Sequence, residues 1–207
     1  MKQKVVIIGS AGNMGRRYCA ILKNVFPKIQ VVGVDLKDLW PSKFDKAIIA
    51  TPTNTHFQIC KKLIDKGKTF LCEKPITFRP DQSESIQSYA NGFMVNNWCY
   101  AVPGEYLVAT KNNVDYDYYS TGKDGLNWDC IQLHGLAKTI KLNNKSHVFS
   151  ALINGIPINR EMIDISYVRM LKDFVGGEYE RLWDLGFAHK LTEKVSYIDE
   201  PRSMDMV

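Results

Sequence analysis

Three clusters of residues carry types and spacings that chemistry can use. The first is Gly9-Ser10-Ala11-Gly12-Asn13-Met14-Gly15, directly after the apolar run Val5-Val6-Ile7-Ile8. Glycines let a backbone turn sharply and let a diphosphate approach the amides at a helix N-terminus, where free N–H groups and the helix dipole favour negative charge. The spacing is G-x-x-G-x-x-G, with Ser10 where the first glycine of the strict G-x-G-x-x-G would fall. The second cluster is Asp35, twenty positions after Gly15 and just past Val31-Val32-Gly33-Val34. A carboxylate there accepts hydrogen bonds from a ribose diol and repels a 2′-phosphate, which favours NAD over NADP. Lys37, two residues on, keeps NADP open. The third is Lys74, within Glu73-Lys74-Pro75 after the apolar Thr69-Phe70-Leu71-Cys72. A lysine desolvated at the carboxyl edge of a sheet has its pKa lowered toward a range useful for proton transfer. The alternative is a solvated surface lysine. His56 is open in the same way: it sits in the first turn of an expected helix, where it either serves a ligand or is satisfied by local polar groups.

The elements that must hold these residues follow from hydrophobic patterning. Lys4–Ile8 and Val31–Val34 are unbroken apolar runs of the kind found in strands buried on both faces. With a helix between them reaching about Asn24, they make a βαβ unit of the expected size. The stretch Leu36–Asp45 is short for a second crossover helix, and the loop Leu39-Trp40-Pro41 is expected along the sheet edge. A strand at 47–50 leads to a helix over about 56–66, with Thr55 and Gln58 as a capping box and Gly67 as its stop. Strands at 69–72 and 93–95 flank a helix beginning near Pro80, whose Asp81 and Glu84 suit its dipole.

From about residue 101 the pattern changes. Asp115–Tyr119 alternates acidic and aromatic residues as a half-exposed strand does, and Leu126–Leu136 reads as an apolar, helix-compatible stretch. Residues 138–142 and 147–153 suggest an antiparallel pair, and Asn154-Gly155 is a hairpin signal leading into Ile156-Pro157-Ile158. Arg160–Val175 is an amphipathic helix with Ile163, Tyr167, Met170, Leu171 and Phe174 on one face, ended by Gly176-Gly177. The expected fold is α/β: a Rossmann-type parallel-sheet domain over 1–100, then a smaller α+β domain over 101–207 with a mostly antiparallel sheet. Trp183, Leu185 and Phe187 pack back onto the protein or against a partner.

The glycine turn, Ala50-Thr51-Pro52 with His56 four positions after the proline, and Glu73-Lys74-Pro75 together resemble the glucose–fructose oxidoreductase, inositol dehydrogenase and biliverdin reductase superfamily (Gfo/Idh/MocA). The resemblance covers residues 3–100 well and the rest loosely. It implies that Gly9, Ser10, Gly12, Asn13, Met14, Gly15 and Asp35 bind a dinucleotide, that Thr51, Pro52 and His56 line it, and that Glu73 lies near the nicotinamide end. Lys74 would carry the proton during hydride transfer, and Pro75 often follows a cis bond in such proteins. Asn97-Trp98-Cys99-Tyr100 stands for the family's Asn-x-Arg-Phe, with Cys99 in place of arginine. A helical aspartate and a histidine four residues later are also catalytic in the family. Here Asp129 is followed by Leu133, then His134, so Asp129, Gln132 and His134 all remain candidates.

Composition narrows the classes. The 207 residues are 45% hydrophobic and 24% charged, so a disordered or coiled-coil chain is excluded. A formal net charge of +5 with interspersed signs gives no basic stripe for nucleic acid. The longest apolar runs are too short for a membrane span or a signal-peptide core, so a cytoplasmic protein is expected. Five scattered cysteines without a Cys-x-x-Cys pair argue against a disulfide framework or zinc site. The leading expectation is an NAD(P)-dependent oxidoreductase acting on a sugar, cyclitol or related hydroxyl or carbonyl substrate, as a homodimer. The alternative is a dinucleotide-binding sensor or scaffold without catalysis.

Overall fold

The computed structural model describes residues 2–100, 115–119, 130–134, 140–143, 150–153 and 156–196. Gln3–Ile8 (β1), Ile29–Val34 (β2), Lys46–Ile49 (β3), Thr69–Cys72 (β4) and Gly92–Met94 (β5) run parallel in one sheet. Trp183–Asp184 (β11) adds a sixth strand, antiparallel to β5, and the order is β11-β5-β4-β3-β1-β2. Val5–Ile8, Ala47–Ile49 and Phe70–Cys72 are all sealed from solvent. The unbroken apolar runs therefore reflect a sheet covered on both faces rather than a half-exposed one.

Sequence order sets the switch point. From β1 the chain steps outward to β2, then crosses back over β1 to form β3 on its other side, and continues away through β4 and β5. The crevice outside the carboxyl ends of β1 and β3 is where ligands bind in such sheets. As expected, no helix occupies 35–45: Leu39 is almost fully exposed there, and Trp40 leans on the core.

The helices present inward stripes. Asn13–Val25 (α1) buries Gly15, Tyr18 and Leu22, at intervals of three and four residues. Thr53–Asp65 (α2) buries His56, Ile59, Cys60 and Leu63 on the same spacing, so the periodicity itself turns His56 into the core. This helix starts three residues earlier than the capping box predicts. The Thr55 hydroxyl instead donates to the Pro52 carbonyl and pairs with the Thr51 hydroxyl, both at 2.7 Å, which stitches the first turn to the loop before it. Pro80–Glu84 (α3) is short.

Arg160–Gly176 (α4) matches its predicted span and buries Tyr167, Met170, Leu171 and Phe174. Asn159 caps it by accepting from Met162 N at 2.8 Å, and Gly177 at φ 87° closes it in the left-handed conformation. Its C-terminal carbonyls are also met by Lys46, whose buried ammonium donates to Phe174 O (2.6 Å) and Val175 O (3.1 Å). Leu185–Ser196 (α5) packs on α3. The carboxy-terminal residues Trp183, Leu185 and Phe187 thus pack back onto the amino-terminal sheet, as the tail's apolar residues suggest.

Among the described residues, two smaller sheets follow: Asp115–Tyr119 (β6) with Cys130–His134 (β7), and Ile140–Asn143 (β8), Ser150–Ile153 (β9) and Ile156–Ile158 (β10). The antiparallel pairs expected near 140–158 are there. The helix-compatible reading of Leu126–Leu136 is corrected at its centre. Cys130–His134 is a strand, because pairing from Asp115↔His134 to Tyr119↔Cys130 supplies it with cross-strand partners, and a short apolar run fits either period.

Candidate active site

The turn after β1 is built by close approach. Gly9 has φ 89°, and a Cβ on it would stand 2.6 Å from Ala50 O and 2.9 Å from Thr51 Cγ2. The turn is therefore pressed against the end of β3, at the switch point. Gly9 N and Ser10 N both donate to Val34 O, at 2.8 and 3.2 Å, tying the same turn to the end of β2. Gly15 has the tightest fit: its Cβ would lie 2.0 Å from Gly9 O. Gly33 admits the Ser10 side chain, which would be 2.8 Å from a Cβ there.

These contacts leave the N-terminus of α1 open. Gly12 is its N-cap, no side chain among the described residues caps it, and its first turn holds no acidic residue. Ala11, Gly12 and Asn13 are exposed, and Met14 is half-buried. Asp35 stands beside this opening, its carboxylate accepting from Ala11 N (3.2 Å) and Ser10 Oγ (3.3 Å). The cradle that Cβ atoms would fill, the uncapped helix and the adjacent carboxylate fit a diphosphate and a ribose diol.

The next strand ends supply the rest of the rim. Thr51 is buried and Pro52 exposed, at the start of α2. Glu73 and Lys74 are half-buried at the end of β4, and the Lys74–Pro75 peptide is cis. Glu73 N donates to Ile49 O (2.9 Å), continuing the β3–β4 ladder. One Glu73 oxygen accepts a hydrogen bond from the Tyr18 hydroxyl, and the other accepts from Lys74 N at 3.1 Å. Tyr18 is wholly buried. Burial first, then the nearby Glu73 charge, pushes its phenol well above the ordinary range, so it stays a donor.

His56 lies beneath the rim, 1% exposed, with Nδ1 2.8 Å from Pro75 O and Nε2 2.8 Å from Thr51 O. Both neighbours are acceptors, whereas a neutral imidazole donates once. Desolvation outweighs the pull of these carbonyls and of Glu73, and holds the pKa below the ordinary imidazole value.

The structure gathers Gly9, Ser10, Gly12, Asn13, Met14, Gly15, Asp35, Thr51, Pro52, Glu73 and Lys74 around the carboxyl ends of β1–β4, with His56 just below. His134 is the last residue of β7, at a strand end rather than on a helix. Asp129 lies outside the described residues, as does the Cys99 side chain. Gln132 is central in β7. Cys72 is sealed beside Cys60, and burial pushes its thiol up, so it is an inert core residue. Tyr18 is the residue that sequence reading missed. Its one signal was a hydroxyl-bearing ring on the inward stripe of the glycine-turn helix.

Comparison with known proteins agrees with this fold. A family described as "Oxidoreductase family, NAD-binding Rossmann fold" (Gfo/Idh/MocA) matches residues 34–93. An uncharacterized oxidoreductase, YfiI, of Bacillus subtilis is 40% identical over 42 residues, which are 20% of this chain and 11% of that protein. The chain thus matches about a tenth of that relative's length. Among solved structures, a myo-inositol dehydrogenase from Corynebacterium glutamicum superimposes with a TM-score of 0.61 at 12% identity, covering 94% of each chain. A biliverdin reductase from Synechocystis, in complex with biliverdin and NADP+, gives 0.59 at 11% identity, covering 95% of this chain and 98% of that one. At such identity the superpositions establish a shared fold.

Proposed function

We propose, on the premise that residues 34–93 are the NAD-binding Rossmann segment of the Gfo/Idh/MocA oxidoreductase family, that this chain is an NAD(P)-dependent dehydrogenase or reductase. Its substrate is a sugar, cyclitol or related hydroxyl or carbonyl compound, and it works as a homodimer. The observation that carries the reading is one juxtaposition. An open helix N-terminus, a carboxylate beside it and a lysine two strands away share a single sheet edge at the switch point.

In this reading the amides of Ser10–Gly15 receive the diphosphate and Asp35 exchanges its present donors for a ribose diol. Thr51, Pro52 and His56 line or support the cofactor's path, and Glu73 borders the nicotinamide end. The bound nicotinamide supplies hydride chemistry. Lys74 gives or takes the proton of the substrate oxygen, with Asp129 and His134 as candidates to share that transfer. Asp35 favours NAD, and NADP stays within reach of Lys37. Among the described residues no helix is long and apolar enough to cross a membrane, in keeping with a cytoplasmic enzyme.

The test is direct. Isothermal titration with NADH and NADPH should show binding, and Lys74→Ala should keep that binding while losing turnover of a hydroxylated substrate. A Lys74→Ala protein that turns over at the native rate refutes the role of Lys74. Absence of heat with either nucleotide, oxidised or reduced, refutes the reading altogether.

A further inference from the structure

The geometry points to Tyr18 and His56 as positioning residues for Lys74, gripping the residues on either side of it from two different helices. This rests on the oxidoreductase reading, in which Lys74 moves the proton. On the amino side, the Tyr18 hydroxyl of α1 donates to one oxygen of Glu73, and the other Glu73 oxygen receives the N–H of Lys74 itself. On the carboxyl side, His56 of α2 stands with Nδ1 2.8 Å from Pro75 O and Nε2 2.8 Å from Thr51 O, bridging the two loops and donating its one ring proton to one of these carbonyls. Glu73 N is meanwhile fixed on Ile49 O. Three consecutive residues, 73 to 75, are therefore packed against β3, α1 and α2.

Both anchors are themselves immobilised. Tyr18 is fully buried, with the edge of its ring against Tyr167 of α4 at a centroid separation of 6.0 Å. The Tyr167 ring in turn lies under the Arg17 guanidinium at 4.9 Å, and Arg17 reaches Asp164 at 3.6 Å. His56 is on the inward stripe of α2. The helix that opens on the diphosphate turn is thus the helix that grips Glu73. The cofactor seat and the proton carrier become parts of one rigid unit. Displacing a reacting group by about 1 Å can cost on the order of a hundredfold in rate, which gives such tethers their value.

Trace acetylation of the native protein, read lysine by lysine in mass spectrometry, tests this without a known substrate. Tyr18→Phe removes one oxygen from a buried ring, and His56→Leu removes both carbonyl contacts. Each is expected to raise the acetylation rate of Lys74 by on the order of threefold or more, while exposed Lys37 and Lys66 react as in the native protein. A merely structural role would lower the melting temperature and leave the ratio of Lys74 to Lys37 unchanged. That unchanged ratio in folded Tyr18→Phe and His56→Leu overturns the inference. If either variant fails to fold, Glu73→Gln decides. Its carboxamide can still accept from Tyr18 but turns a donor toward Lys74 N, so faster Lys74 labelling supports the tether and native-like labelling refutes it. Addition of NADH to the native protein reports separately. If NADH does not slow Lys74 acetylation, the oxidoreductase reading is what fails, because the tether comparison is made without nucleotide.

Discussion

Gly15→Ala puts the candidate site under the most specific strain. The new Cβ would stand 2.0 Å from Gly9 O, 2.7 Å from Ser10 Cα and 2.8 Å from Gly9 C. All three are backbone atoms, so no side chain can swing aside. Restoring ordinary contact of about 3.5 Å requires the Gly9–Ser10 turn and α1 to separate by more than about 1 Å. The turn cannot yield freely, since Gly9 N and Ser10 N are bonded to Val34 O and the other side faces Ala50. Helix propensity alone would favour alanine by about 1 kcal/mol. Overpacking opposes it by about 1–3 kcal/mol, and contacts this short put the cost at the upper end. The net expectation is a loss of about 2 kcal/mol, or about 4–8 °C in melting temperature for a chain of this size. The dissociation constant for NADH should also rise at least about tenfold, because the amides that receive the diphosphate move with the turn. Calorimetric melting and NADH titration measure both. Gly67→Ala is the internal control: Gly67 has φ 61° with open space around its Cβ position, so it should lose about 1 kcal/mol and keep NADH affinity. If Gly15→Ala melts no lower than the native protein and binds NADH as well, close backbone approach is not what shapes the turn.

Lys46→Met should cost about 2–3 kcal/mol in urea unfolding, because it removes charge-assisted donors to Phe174 O and Val175 O at the end of α4; a loss under half of that would mean water replaces the ammonium there. The buried His56 ring has its pKa held down, so on acidification the unfolded chain takes up the proton before the folded one does. Its contribution to stability is therefore complete above about pH 6.5 and declines as pH falls below that value, until the folded ring itself protonates. The drop in urea midpoint between pH 7.5 and 5.5 should be smaller in His56→Leu than in the native protein, and an equal drop would refute the assignment. Among the described residues, neither amide atom of the buried Asn96 has a hydrogen-bond partner. Asn96→Leu should then match or exceed the native melting temperature, since about 1–3 kcal/mol of desolvation cost disappears, whereas a clear loss would show that the amide is satisfied in solution.

What the sequence makes legible is what is local. Four apolar residues followed by glycine define β1 and its turn, and the offset from Gly15 to Asp35 finds the carboxylate that meets Ala11 N. The span of α4 and its glycine stop follow from period and composition in the same way. Contacts made at long range are not encoded in any window. Tyr18 reads as core from its position on α1, and its bond to Glu73 spans 55 residues. The two residues of β11 are too few for a strand signal, and they pair with β5 only because the chain returns there. His56 is ambiguous for a different reason. The α2 period dictates burial, but the two carbonyls it meets belong to loops whose separation only the folded sheet sets. Cys130–His134 fails by periodicity, since its strand is fixed by a partner segment rather than by its own residues.

The way β11 and α4 come home to the first sheet has a consequence for how such a chain can change in length. Asn97 Nδ2 donates to Ser166 Oγ at 3.3 Å, and Arg169 donates to Tyr100 O at 3.1 Å. The point where the polypeptide leaves the Rossmann sheet and the point where it re-enters are thus pinned side by side, like the two ends of a buckle. Closure entropy grows only logarithmically, so doubling the connection between them would cost about 0.6 kcal/mol. A longer or shorter connection between those two points therefore leaves the contacts that fasten α4 to the first sheet in place.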